Sequence, residues 1–462
     1  MIRDEIKKKI RDIVGSENAL DSNLERLAYS YDASFIPLLP ANKPDLVVRP
    51  LTTEEVSKVM AIAYEHEIPV TPRGIASGRT GGSVPVKGGI SLSLDRMTKI
   101  LELDERNMMV TAEAGVRTFD LYNYCAAKGL FYPPDPASWK FSTIGGNVAE
   151  NAGGMRAVKY GVTSDYVMGL EVVLADGTVL QTGGKAIKNV TGYDLVSLFT
   201  GSEGTLGIIT KVLFRLIPMP QKRRTLQIMF RTLDDGCMTI HKMLQSNIVP
   251  ATAEIMDRTC LDAVARHRKV EVAPEIGASV VIEIDGEDDK ALEMQAKQVE
   301  VVAKDCGSIE FRVAQSEQET EELWAIRRGV SAAVAALAPN RVGEDISVPR
   351  DSLPEVVRRI KSIAEKYKFT IAVYGHAGDG NLHPSILCDL SNREEAERVH
   401  QAVEEIFKAA LAVGGTLSGE HGIGTTKQPY LTLALGEAGV KTLKAIKQAL
   451  DPKGILNPGK IW

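Results

Sequence analysis

The stretch PRGIASGRTGGS, residues 72–83, follows directly on a short β run at Ile68 to Thr71. Its many backbone N–H groups, unobstructed by bulky side chains, suit the wrapping of a pyrophosphate, with Arg73 or Arg79 adding charge. No helical pattern opens at its third glycine and no βαβ unit follows, so it is not the G-x-G-x-x-G dinucleotide fingerprint. Two more segments have the same character. STIGGNVAENAGG, residues 142–154, has small residues that let backbone approach a planar ligand closely, and GSEGTLG occupies 201–207. Alone, each reads as a loop. Joined by short strands, the three describe a large ligand lying extended through one domain.

Short β runs surround these loops. Leu46-Val47-Val48 precedes a helix that Thr53 is placed to cap, and Ile90 to Leu94 and Met109 to Glu113 follow. Asp176-Gly177 separates two apolar runs with hairpin turn chemistry. The run from Leu206 to Ile217 ends this region, and Pro218-Met219-Pro220 marks a boundary. Beyond it, strands at Gln227 to Phe230, Ala253 to Met256, Ser279 to Ile284 and Ile309 to Val313 alternate with helical patterns at Lys290 to Lys304 and Glu317 to Leu337. The expected second layer is α+β, an antiparallel sheet with helices on one face.

Composition sets the outer bounds. A chain of 462 residues with 44% apolar residues has enough material for two or more cores. A formal net charge of -5, without a basic run, argues against a nucleic-acid partner. The five cysteines, at 125, 237, 260, 306 and 388, form no close pair, which argues against a disulfide framework, an iron-sulfur cluster or haem attachment and for a reducing compartment. The start, MIRDEIKKKIRDIVG, reads as a charged amphipathic helix without the apolar core of a signal peptide, and no run approaches the length of a membrane span. The expectation is a soluble cytoplasmic protein.

Of only seven histidines, three fall in GHAGDGNLH, 375–383, and in Gly419-Glu420-His421-Gly422. His376 and His383 are an odd seven apart, yet Gly378 and Gly380 allow the backbone to double back so that both imidazoles converge. Asp379 and Asn381 are further candidates there, and Glu420 offers an oxygen from a separate segment. This mixed nitrogen and oxygen set suits a borderline divalent metal and leaves positions open for substrate. With Glu420 on the metal, its neighbour His421 is free to act as a base. The competing reading is a glycine-rich turn whose histidines cap carbonyls.

The cradle at 72–83, PPDPASWKFSTIGGNVAENAGG from Pro133, Tyr160-Gly161, GSEGTLGIIT from Gly201, GHAGDGNLH, GEHGIG from Gly419 and LNPGK from Leu456 occur in fixed order. Over about residues 20 to 462 this resembles the D-2-hydroxyacid dehydrogenase group of the vanillyl-alcohol oxidase and p-cresol methylhydroxylase flavoproteins. That group includes D-lactate dehydrogenases and the flavin subunit of glycolate oxidase. The resemblance implies an α+β, two-domain flavoprotein: an FAD domain over 1–220, a substrate or cap domain with an antiparallel sheet over 221–430, and a segment at 431–462 returning to the flavin.

The resemblance also implies site residues. The pyrophosphate would meet Arg73, Gly74, Ile75, Ala76, Ser77, Gly78, Gly81, Gly82 and Ser83. The ring would meet Pro136, Thr143, Gly146, Asn147 and Ala152, the adenine end Glu203, Gly207 and Ile208, and Asn457 would close the site. Neither His nor Cys lies in the 72–83 cradle, so the FAD is expected to be noncovalent. His376, His383 and Glu420 match metal ligands, usually for zinc, with iron or manganese as alternatives. His421 matches the catalytic base and Arg327 the arginine that binds the substrate carboxylate, against a competing reading of Arg327 on a solvated helix face.

A 2-hydroxy carboxylate chelates a divalent ion while an arginine fixes its anion, and oxidation gives a 2-oxo acid. Where hydroxyglutarate-type relatives carry a lysine, this chain reads Arg341-Val342-Gly343-Glu344 before Asp345, which favours D-lactate or glycolate unless Arg341 substitutes for that lysine. With no nicotinamide, haem or cluster motif, electrons are expected to leave to an electron-transferring flavoprotein, an iron-sulfur subunit or a quinone, oxygen being the alternative acceptor. An oligomer is compatible with this reading. The rival classes are a transferase like alkyldihydroxyacetonephosphate synthase, using flavin without net redox, and a non-catalytic flavin subunit.

Overall fold

A computed structural model describes residues 2–36 and 39–462. The backbone divides into two compact units, one comprising Met1–Gly153, Val162–Met219 and Glu420–Trp462, the other Gly154–Gly161 and Pro220–Gly419.

The first unit carries two main sheets. Leu46–Val48, Ile90–Ser93 and Val70–Arg73 run parallel in that spatial order, with Ala19–Leu20 antiparallel on the Leu46–Val48 edge. Parallel strands need helical crossovers and covered faces, and their residues are accordingly buried without alternation. Ile6, Ile10 and Val14 of the helix Asp4–Val14, with Val56, Val59, Met60 and Ala63 of Thr53–Glu65, pack into one core with Leu46, Val70, Ile90 and Leu92. The cap of the second helix is Thr52, not Thr53: its hydroxyl accepts from the Glu55 N–H, while the Thr53 hydroxyl donates to the buried Glu171 carboxylate.

The other sheet is antiparallel, in the order Ile100–Asp104, Met109–Glu113, Ile208–Arg215, Val167–Val173, Val179–Gly183. Gly177, with φ near +90°, turns the last hairpin as its Asp-Gly pair predicts. Ile144 and Val148 of the short helix Ile144–Glu150 join Val110, Ala112, Leu170, Val212 and Phe214 in its core. The chain end returns to the first sheet, where the Asn457 N–H donates to the Val70 carbonyl and Leu456 bridges Val70 in parallel.

The second unit is one antiparallel sheet in the order Ser308–Val313, Lys222–Phe230, Ala278–Gly286, Thr252–Asp257, Thr370–His376, Asn381–Cys388, Asn340–Gly343. Helices cover both faces, not one. Met256 and Tyr374 pack with Cys260 and Val264 of Arg258–Arg268 and with Trp324, Val330 and Val334 of Glu317–Ala335. On the opposite face, Gly236 of the helix Leu233–Gln245 packs against Ile255 and Val280. The physical reason is visible in Thr252–Asp257, where all six residues are buried, a pattern that requires cover on both sides.

Candidate active site

In the first unit the three glycine-rich loops are stitched together. Asn457 donates through Nδ2 to the carbonyls of Gly82, at 3.0 Å, and Glu203, at 2.7 Å. Its Oδ1 and the hydroxyl of Ser202 are buried without a hydrogen-bond partner, as is Oε2 of Glu150. Unmatched polar atoms gathered where loops meet are what a large polar ligand satisfies, so these residues fit a flavin dinucleotide.

The predicted cofactor residues divide by what they touch. Arg73 is buried, donates to the carbonyls of Tyr29 and Tyr31 and lies over the Tyr29 ring, so it braces that turn and does not reach out as a free charge. Gly74, Ile75, Ala76, Ser77, Gly78 and Ser83 lie partly or fully exposed along the cradle. Gly81 and Gly82 are buried, and a Cβ on Gly81 would collide with Ile36 and Thr425. Pro136 and Ala152 are buried on the approaches to the helix Ile144–Glu150, which Thr143 caps through the N–H of Gly146. Asn147 donates to Thr118 Oγ1 at 2.7 Å, Gly207 packs on Val172, and Ile208 belongs to the core. The side chains of Asn147 and Ile208 therefore hold the fold, and their backbone is engaged in the helix and the strand ladder.

Glu203 also fastens the segment that carries His421. It adopts a positive φ of 51° and accepts from the N–H groups of Ile423 and Gly424, both at 2.7 Å. Thr80 of the cradle accepts from Thr425 N–H through its carbonyl and donates its hydroxyl to the His421 carbonyl. Burial pushes the Glu203 and Glu150 carboxyls up, Glu150 well above the ordinary range, with the charge of Glu203 raising it further. Glu420 and His421 thus begin the first unit's last segment, anchored on the cradle.

In the second unit, Thr370–His376 and Asn381–Cys388 form a hairpin with Tyr374 opposite His383 and His376 opposite Asn381. Residues two apart share a face, so both imidazoles stand on one side, with ring centroids 5.1 Å apart. The glycine expectation is met at Gly380, whose φ is +87° and where a Cβ would collide with the Val348 carbonyl. Asn381 is committed elsewhere: its Nδ2 donates to Asp345 Oδ1 at 2.7 Å and to the Ile346 carbonyl. Asp379 Oδ1 accepts from the Asn381 N–H and shapes the turn. Asp345 Oδ2 in turn accepts from Ser418 Oγ and from the Gly419 N–H, at 2.8 and 2.9 Å.

Arg327 is on the inner stripe of its helix with Leu323, Trp324 and Val330, whereas Arg328 faces out and pairs with Glu321. Its guanidinium lies over the Tyr374 ring and is ion-paired with Glu254, at 2.5 Å. Glu254, fully buried on Thr252–Asp257, also meets His376 Nδ1 through Oε1 at 2.6 Å. Burial presses Glu254 toward its neutral form, but Arg327 and His376 outweigh that and hold its carboxyl below the usual range. Glu254, Asp345, Tyr374 and Thr80 are residues that sequence reasoning did not single out for the site. The available signal for Glu254 was a lone carboxylate inside the apolar run Ala253 to Met256.

Two buried imidazoles stand on neighbouring strands, one with its Nδ1 on a carboxylate, and imidazole nitrogen is a donor of the type a borderline divalent metal takes. Cys125, Cys237, Cys260, Cys306 and Cys388 are free and buried, and burial pushes Cys125 and Cys237 up to about 12. No helix among the described residues is long and apolar enough to cross a membrane.

Residues 44–183 match the FAD binding domain family, and residues 219–461 match the family of FAD linked oxidases, C-terminal domain. The glycolate oxidase subunit GlcD of Bacillus subtilis is 44% identical over all of this chain and 97% of its own length. A D-lactate dehydrogenase of Anaerostipes hadrus is 37% identical over 91% of this chain and 90% of its own. The crystal structure of p-cresol methylhydroxylase with substrate bound superposes with a TM-score of 0.81 at 21% identity, covering 99% of this chain and 96% of that one, and shares the fold. The chain belongs to the FAD-linked oxidases, in the group of its glycolate oxidase and D-lactate dehydrogenase relatives. It is an FAD-dependent enzyme of hydroxy-acid oxidation.

Proposed function

We propose that the protein oxidises a small D-2-hydroxy acid, D-lactate or glycolate, to the 2-oxo acid. The observation that carries this reading is the convergence of His376, His383 and Arg327 on one face of the second unit's sheet, nitrogen ligands and an anion-binding guanidinium side by side. Noncovalent FAD supplies the hydride acceptor and a divalent ion, zinc in our reading, supplies the Lewis acid. His376, His383 and Glu420 hold the ion. Arg327 orients the substrate carboxylate through the N–H groups that Glu254 leaves open. His421 takes the hydroxyl proton as the C2 hydrogen departs with its electron pair. Support for Glu420 comes from Asp345, which ties the Gly419 N–H to Asn381, two residues from His383.

Monocarboxylates are favoured because Arg341 is engaged. Its Nη1 donates to the Ser331 carbonyl, to Ser331 Oγ and to the Tyr374 hydroxyl. Electrons leave to a separate acceptor, an electron-transferring flavoprotein, an iron-sulfur subunit or a quinone, in what we read as a cytoplasmic setting. The reading is tested by measuring metal and flavin content and mixing the protein anaerobically with D-lactate, L-lactate, glycolate and D-2-hydroxyglutarate. Bleaching of the flavin band by D-lactate or glycolate is expected, and bleaching by none of the four would overturn it.

A further inference from the structure

The Glu254 carboxylate joins two groups that the proposed function uses separately. Its strand pairs with Thr370–His376, with Met256 opposite Tyr374, so that Glu254 and His376 share a face. Oε1 lies 2.6 Å from His376 Nδ1, and Oε2 accepts from Arg327 Nε at 2.6 Å and pairs with Nη2 at 2.5 Å. The side chain is completely buried between them. An ionised carboxylate has only acceptors to offer, so a close imidazole nitrogen beside it must carry the hydrogen.

We propose that Glu254 is the positioning residue of the active site, fixing His376 as the Nδ1–H tautomer, so that Nε2 is the ligand atom, and holding Arg327 by its Nε edge, so that the opposite N–H groups face the substrate carboxylate. One carboxylate thereby aligns metal ligand and anion clamp together. A second consequence concerns charge. Arg327 is already neutralised by Glu254, so a substrate anion gains little net attraction from it, and the ion must supply most of the positive charge. Arg327 acts on direction more than on affinity. This inference rests on the metal and arginine roles proposed above.

The experiment uses FAD-loaded protein stripped of metal and titrated with Zn²⁺ against a chromophoric chelator. Wild type is expected to take up about one ion per chain. Glu254→Gln places an amide where a full acceptor is needed, and it should weaken zinc binding by about 10- to 100-fold at unchanged FAD content. Glu254→Asp, which restores the charge with a shorter reach, should recover part of the loss. Equal zinc affinity in Glu254→Gln and wild type overturns the inference while leaving the metal site standing. A wild type that binds no zinc overturns the metal reading itself. Should Glu254→Gln fail to fold, histidine ¹⁵N spectra of the zinc-loaded wild type decide: Nδ1–H with Nε2 bound supports the assignment, and the reverse overturns it.

Discussion

The hydroxyl of Thr80 donates to the main-chain carbonyl of His421 at 3.1 Å. A residue of the phosphate-type cradle therefore holds the proposed base by its backbone. With Glu203 taking the next N–H groups, the loop around His421 is fixed from two sides.

Because the backbone carries this anchoring, His421→Ala should keep metal and FAD near wild-type occupancy. It should slow flavin reduction by roughly 10²-fold or more, the scale of a lost general base. His383→Ala should instead lose the metal. Metal analysis beside single-turnover stopped flow separates the two, and wild-type reduction rates in His421→Ala would refute the assignment of the base.

The flavin is expected to leave on denaturation. Residues 72–83 contain neither histidine nor cysteine, and the five cysteines of the chain are buried. Acid precipitation should release the yellow colour to the supernatant. Colour kept in the pellet would show a covalent link.

How far the sequence could be read depended on range. Met109–Glu113 and the Asp176-Gly177 hairpin follow from alternation and turn chemistry, which are local, and the structure has them. The helix cap shifted by one because the Thr53 hydroxyl is drawn to Glu171, 118 residues away, and Thr52 takes the Glu55 N–H. The Glu254 contacts were invisible because their partners lie 73 and 122 residues away and a single acidic residue in a strand has no periodic signal. The excursion of Gly154–Gly161 into the second unit is likewise tertiary: Lys159 and Tyr160 are tied to Asp285, far along the chain.

Substrate preference follows from Arg341. Recruiting it for a distal carboxylate means breaking its bonds to Ser331 and Tyr374, and one part-buried hydrogen bond of about 1.4 kcal/mol is a factor of about ten. D-Lactate should exceed D-2-hydroxyglutarate by at least about ten-fold in kcat/KM. Equal values would mean that Arg341 is freely available.

Glu150 makes stability depend on pH in a predictable direction. Burial raises its carboxyl, and the nearby Glu203 and Asp32 raise it further, so the folded state binds a proton that the unfolded chain releases. Stability from this group is fully present below the ordinary carboxyl range and falls as pH rises toward the folded value. Glu150→Gln cannot ionise and escapes that loss. With excess FAD in both samples, the melting temperature of Glu150→Gln relative to wild type should be more favourable at pH 8 than at pH 5. A difference that is flat or reversed across that interval would show that Glu150 ionises in the folded protein as readily as in the unfolded chain, and that the unmatched Oε2 has found a cation.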